Sequence, residues 1–429
     1  MDTNTPPKKA WIVAADMGYG HQRTAYPLRG LAPDRRVINA NHYEGIDKKD
    51  KQLWDTSRKS YEFISRFRRI PLVGVFIFLF FDSFQKIMGY YPKRDLSKAN
   101  LAGKLIFSSI KKGWGRGLIV LLGKNPLPFI TTFFTPAFMA EEFNYPNQVY
   151  CVICDADIAR AWVALDPKKS TIKYFVPNTW ARDRLKLYGV KPENIMLTGY
   201  PLPKENIGGP DMEIVKRDLG YRLLNLDPLG KYRQLYAPLI KKYVGGLPKM
   251  PNHPLTILFS IGGAGAQKEI ALAIINSLKE KIRAKQLRFI ISIGTKEQLR
   301  HYFTKNLAGL KLGGWVQVLS APTMNEYFEK FNKALRTTDI LMTKPSELSF
   351  YSALGIPIII EPPIGSQEDF NMRWLLHIGC GIAQENPKYT AEWISDLLAA
   401  GDLAEVAMQG FVEVEKMGAY NIENIINGA

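Results

Sequence analysis

Short apolar runs recur along the chain, each followed by a longer stretch with apolar residues at every third or fourth position. In the first half the runs are AWIVAAD (10–16), RRVINA (35–40), LPFITTFF (127–134), QVYCVICD (148–155), IKYFVPN (172–178) and NIMLTG (194–199). Between them, HQRTAYPLRGLA, TPAFMAEEF and TWARDRLKLYG have helical spacing. The runs are too uniformly apolar for a strand with one wet face, which predicts parallel strands buried on both sides. Residues 206–253 interrupt the alternation with Gly, Pro and charge, and predict a linker or insertion with one or two helices. The pattern then restarts: LTILFS, LRFIISIG, WVQVLS, DILMTKP and IPIIIEPP predict strands, separated by helices, and 390–400 and 403–426 close the chain as helices.

The predicted fold class is therefore α/β, with two doubly wound, Rossmann-like domains. The boundaries fall at 1–205, 206–253 and 254–402, with a terminal helix over 403–429 that packs back on the first domain. Ligands of such sheets sit beyond the carboxyl ends of the strands. Two such domains facing each other would form an interdomain cleft, so the turns that follow the strands are where chemistry is sought.

Four turns stand out. After the first strand, ADMGYGH places Gly18, Tyr19 and Gly20 ahead of His21. A histidine there either packs on its helix or takes a proton from a hydroxyl, with Asp16 near enough in sequence to orient it. After LTILFS, the glycines Gly262, Gly263 and Gly265 open a helix. They serve a tight turn or let a diphosphate approach free N–H groups at the helix start. After DILMT come Lys344, Ser346 and Glu347; the serine caps a helix or meets phosphate, with Glu347 near a ribose. After IPIII come Gln367, Glu368 and Asn371, a solvated loop or a set of partners for sugar hydroxyls.

Taken in order, LMTKPSELSFYSALGIPIIIEPPIGSQEDFN, the opening GYGH, and CDADIARAW…VPNTW…GVKPENIMLTGYPLP resemble a glycosyltransferase family. That family holds the monogalactosyldiacylglycerol synthases and the N-acetylglucosaminyltransferase that completes the lipid-linked peptidoglycan precursor. The resemblance covers most of the chain outside about 30–127 and 206–253. It implies the GT-B architecture and an inverting transfer from a nucleotide sugar, UDP-linked in the family pattern, of a hexose or N-acetylhexosamine to a lipid hydroxyl such as diacylglycerol. Read beside the turns above, it leaves His21 as the candidate base with Asp16 near it, the Gly18–Gly20 loop for the acceptor, and Gly262, Gly263, Gly265, Lys344, Ser346, Glu347, Gln367, Glu368 and Asn371 for the donor. No metal or other cofactor is expected. Ser352 stands where the family carries a ribose-binding glutamate, and Ser366 replaces a glycine. Two alternatives stay open: a nucleotide-sugar epimerase of the same architecture, and an inactive lipid- or nucleotide-binding homologue.

Charge adds a partner. The 429 residues carry a formal +17, and segment 48–116 alone holds 16 Lys/Arg against 5 acids. Mixed with aromatic and aliphatic residues, this favours an anionic membrane surface, hence a peripheral position on the cytoplasmic face. No motif that reads nucleic acid is present. The apolar stretch 70–81 is shorter than the roughly 20 residues a spanning helix needs. No secretory leader is read at the start. Cys151, Cys154 and Cys380 read as reduced thiols. Asp155–Ala156–Asp157 looks like a metal-binding Asp-x-Asp, but it ends a strand where the resemblance expects one aspartate.

Overall fold

A computed structural model describes residues 9–67, 86–262, 267–363 and 365–428, with the backbone alone for 58–67. The stretch 70–81 and the turn glycines Gly263 and Gly265 lie outside the described residues. The chain divides into two compact units. The first takes Met1–Leu202, Ile364–Asn371 and Met417–Ala429; the second takes Pro203–Pro363 and Met372–Lys416.

The first unit is built on six parallel strands: β1 (Trp11–Ala14), β2 (Ile38–Asn39), β3 (Phe129–Thr131), β4 (Val149–Val152), β5 (Lys173–Val176) and β6 (Ile195–Leu197). Their order is β2-β1-β3-β4-β5-β6. Strands β3 and β4 are buried along their whole length, as their unbroken apolar runs require. Ile12, Ala14, Ile130, Val152 and Phe175 form one core with Leu28 and Leu31. The terminal helix Gly418–Asn427 completes that core with Ala419, Ile422 and Ile426.

The second unit also has six parallel strands: β7 (Leu255–Ser260), β8 (Leu287–Gly294), β9 (Val316–Ser320), β10 (Ile340–Thr343), β11 (Ile358–Ile360) and β12 (Gly381–Ala383). Their order, β12-β11-β10-β7-β8-β9, is the Rossmann order 3-2-1-4-5-6 read from the other edge. Strand β12 has no counterpart in the sequence expectations.

Segment 203–253 belongs to the second unit. It forms four helices, Lys204–Ile207, Glu213–Leu226, Lys231–Leu235 and Ala237–Tyr243. Leu219, Leu223 and Leu226 are fully buried, each contributing about 2 kcal/mol of apolar burial. Between them Arg222 donates to the carbonyls of Thr338 (2.7 Å) and Leu354 (2.8 Å). A guanidinium has five N–H groups and so satisfies several chain-end carbonyls at once. Of the expected terminal segment, 403–416 groups with the second unit and Met417–Ala429 with the first. Among the described residues no helix is long and apolar enough to cross a membrane.

Candidate active-site clusters at the sheet ends

A doubly wound sheet has a switch point, where chain connections leave in opposite directions from two neighbouring strands and a crevice opens. In the first unit that point lies between β1 and β3. The turn after β1 carries Gly18, at φ 111° and ψ 169°, a conformation that is essentially reserved for glycine. Gly18 starts the helix Tyr19–Ala25, so Tyr19, Gly20 and His21 form its first turn. Thr24 Oγ1 donates back to the Gly20 carbonyl at 2.8 Å.

His21 is fixed from β3's side. Its Nδ1 lies 2.8 Å from the Thr132 carbonyl, and Thr132 Oγ1 donates to the His21 carbonyl at 2.8 Å. A carbonyl only accepts, so Nδ1 carries the proton and the lone pair of the neutral ring sits on Nε2. The ring also meets Phe133 edge-on, with centroids 4.7 Å apart. Asp16 is expected from the sequence to orient His21; the group on Nδ1 is the Thr132 carbonyl. Asp16 Oδ1 accepts from Gln22 Nε2 at 3.1 Å, and the Asp16 N–H donates to Asn41 Oδ1 at 2.8 Å. A backbone carbonyl leaves no side-chain signature, which is why Thr132 was not identified.

A chain of contacts leads on from His21. Cys154 Sγ is 3.4 Å from its Nδ1, and Asp155 Oδ2 is 3.9 Å from that sulfur. Asp155 Oδ1 accepts from Asn371 Nδ2 at 3.0 Å, and Asn371 Oδ1 accepts from the Ala156 N–H at 2.7 Å. Asn371 groups with His21 inside the first unit, as do Gln367 and Glu368. Gln367 and Glu368 stand on the same helix, Ser366–His377.

In the second unit the switch point lies between β7 and β10. There the Lys344 side chain crosses Gly262: a Cβ on Gly262 would stand 3.1 Å from Lys344 Cε. The position therefore favours a residue without a side chain. Past the undescribed turn, the helix Lys268–Arg283 begins after Gln267. Ser346 Oγ accepts from the Leu348 N–H at 3.5 Å and so caps the 3-10 helix Glu347–Leu354, at whose start Glu347 is buried. The cap uses the hydroxyl as acceptor and leaves its proton to donate, so capping and phosphate contact are compatible. Ser352 is buried, its hydroxyl donating to the Ser349 carbonyl at 2.8 Å.

A family described as "Domain of unknown function (DUF6938)" matches residues 249–334, inside the second unit. Among curated proteins, the processive diacylglycerol beta-glucosyltransferase of Bacillus subtilis (strain 168) is 23% identical over 255 residues, 58% of this chain. That match spans 54% of the relative's own length, about half. The protein of the same name from Bacillus pumilus (strain SAFR-032) is 22% identical over 93% of this chain and 88% of its own. Among solved structures, MurG of Acinetobacter baumannii superposes with a TM-score of 0.50 at 14% identity, over 99% of this chain and 100% of that one. A UDP-GlcNAc 2-epimerase from Neisseria meningitidis, bound to UDP-GlcNAc, gives 0.47 at 11% identity, with 97% of each chain covered.

The fold is GT-B. Both doubly wound domains expected from the sequence are present. Within this GT-B chain the Asp-x-Asp that follows β4 has structural partners. Asp157 accepts from Arg184 Nε and Nη2 at 2.8 and 2.7 Å, both side chains buried. Among the described residues, no group of three or more His, Cys, Asp or Glu side chains is placed to hold a metal ion. Cys151 is buried in β4, and burial pushes its thiol well above the usual range. One residue at the second GT-B sheet end went unidentified in the sequence: Glu361, directly after β11, fully buried. Its signal was an acid closing the run IPIII, where a core residue was due.

Proposed function

We propose that the chain is a glycosyltransferase that moves a hexose or N-acetylhexosamine from a UDP-sugar to the hydroxyl of a diacylglycerol-like lipid, inverting the anomeric carbon. The observation that carries this reading is His21 at the switch point of the first sheet, with Nδ1 protonated against Thr132 and Nε2 basic. The acceptor oxygen bonds to the anomeric carbon as the bond to the diphosphate breaks. The hydroxyl proton passes to Nε2, and the nucleoside diphosphate leaves. General-base help of this kind is worth about 10²–10⁴ in rate. Lys344, beside Gly262 at the second switch point, supplies positive charge for the departing diphosphate. The names of the Bacillus relatives support the lipid acceptor.

Membrane attachment belongs to the same reading. On the helix Leu101–Lys111 the exposed positions 101, 104, 105, 108 and 111 follow helical spacing and form one face. That face mixes Leu101 and Leu105 with Lys104 and Lys111, and Lys112 follows at its end. Apolar insertion flanked by cations suits an anionic interface on the cytoplasmic side.

The test offers labelled UDP-glucose, UDP-galactose and UDP-N-acetylglucosamine to the purified protein with diacylglycerol vesicles. Label moving into the organic phase supports the reading, and its loss in His21→Ala supports the base. Release of an epimerised sugar nucleotide with no lipid product overturns it.

A further inference from the structure

Glu361 extends the β10–β11 ladder by one residue, its N–H donating to the Thr343 carbonyl at 2.9 Å. On the other side the Gln384 N–H donates to the Ile360 carbonyl at 3.0 Å. The register pairs Thr343 with Ile360 and Ile360 with Ala383. Lys344, Glu361 and Gln384 therefore occupy equivalent places on three neighbouring strands, one residue past each. In a pleated parallel sheet such places send their side chains to the same face.

Glu361 is 0% exposed, and neither carboxyl oxygen has a hydrogen-bond partner. Gln384 Oε1 is likewise buried without one. Folded proteins satisfy nearly all buried polar groups, so two such orphans on adjacent strands need a reason. Their place gives one. They lie at the carboxyl end of a doubly wound sheet, on the strand next to the one that carries Lys344 to the switch point.

We propose that Glu361 is a ligand contact of the second unit, donating its carboxyl proton to an acceptor oxygen of the donor's nucleoside and accepting from the N–H or O–H beside it. This rests on the nucleotide-sugar reading given above. Burial raises the carboxyl to about 8, so it is neutral at pH 7 and offers one donor and one acceptor. Neutrality matters beside a diphosphate, which a carboxylate would repel. Two nucleoside groups pair a donor with an adjacent acceptor: the imide edge of uracil and the ribose diol.

Calorimetric titration at pH 7 tests this with UDP, 2′-deoxy-UDP and N3-methyl-UDP against the wild type, Glu361→Gln and Glu361→Leu. The leucine variant is expected to fold with unchanged or higher stability and to bind UDP at least tenfold more weakly. The glutamine variant, which keeps a donor and an acceptor, stays within threefold of the wild type. One analogue should bind the wild type at least tenfold more weakly than UDP and lose nothing further in the leucine variant, which names the contacted group. Should leucine fail to fold, Glu361→Met removes the same hydrogen bonds. Wild-type affinity in the leucine or methionine variant overturns the proposal, as does an equal further loss for both analogues. A wild type that binds no UDP overturns the nucleotide-sugar reading itself, a result distinct from either.

Discussion

Replacing Glu361 by leucine separates what this carboxyl costs the fold from what it does for a ligand. Its ordinary value is 4.5, and burial raises it to about 8 in the folded chain. Between those limits the folded state keeps a proton that the unfolded state has released, so stability falls as pH rises. The penalty is absent below pH 4.5 and complete above about 8. At about 1.4 kcal/mol per pH unit it reaches about 3 kcal/mol at pH 7 and about 5 kcal/mol above pH 8. Leucine has similar bulk and no proton to lose. Its stability advantage should grow by about 4 kcal/mol between pH 5 and pH 8 and then level off. With a urea slope of about 2–3 kcal/mol per molar, this is a midpoint shift of about 1–2 M. Urea denaturation of both proteins, followed by far-ultraviolet circular dichroism from pH 5 to 9, reads it directly. Taking the difference between the two proteins cancels every titrating group they share. A difference that does not change with pH refutes the reasoning, since it would mean that Glu361 finds a partner or solvent the structure does not give it.

Other substitutions probe other parts of the argument. Asp157→Asn leaves Arg184 buried without its anion and should cost about 3–5 kcal/mol, seen as a lower urea midpoint; pairing it with Arg184→Met should recover much of the loss. Gly18→Ala meets no atom within 4 Å of the new Cβ, so its cost is backbone strain of about 1–3 kcal/mol, and thermal melting should report it together with reduced sugar transfer. His21→Gln should slow transfer by about 10²–10⁴ while UDP affinity, measured by titration, stays unchanged. Changing Lys104, Lys111 and Lys112 together to glutamine should weaken binding to anionic vesicles by about 3 kcal/mol, more than a hundredfold; sedimentation with neutral vesicles should show little change.

Periodicity revealed eleven of the twelve strands because most were apolar runs closed by Gly, Pro or Asp. Strand β12 escaped because it is short, opens on Gly381 and is only partly buried. What makes Gly381 fit is tertiary: a Cβ there would stand 2.8 Å from Ile360 Cδ1 on the neighbouring strand. Segment 206–253, expected as a linker or insertion with one or two helices, shows a related limit. Its Gly and Pro content is a local signal, whereas Leu219 packs beside Gly355 and Arg222 bonds to Thr338 and Leu354, all more than a hundred residues away.

The candidate site divides along the same line. Residue types and turns were legible: a histidine after β1, a lysine after β10, a glycine at Gly18 where the backbone takes a positive φ. What each atom does was not, because the deciding partners are backbone groups or distant residues. The Thr132 carbonyl sets the tautomer of His21 across 111 residues of sequence. Asn371 is expected among the donor residues; its amide also meets Asp155 and Ala156, which follow β4 and which no short-range pattern connects to it. The hydroxyls of Ser346 and Ser352 both make local helix bonds. Among the described residues at the C-terminal edge of β10–β12, the side chain that enters the folded state with its hydrogen-bonding capacity wholly unmet is Glu361. An unmet group lowers stability in the absence of a ligand and strengthens binding when a complementary one arrives. For that reason the stability gained and the nucleotide affinity lost in Glu361→Leu should appear together.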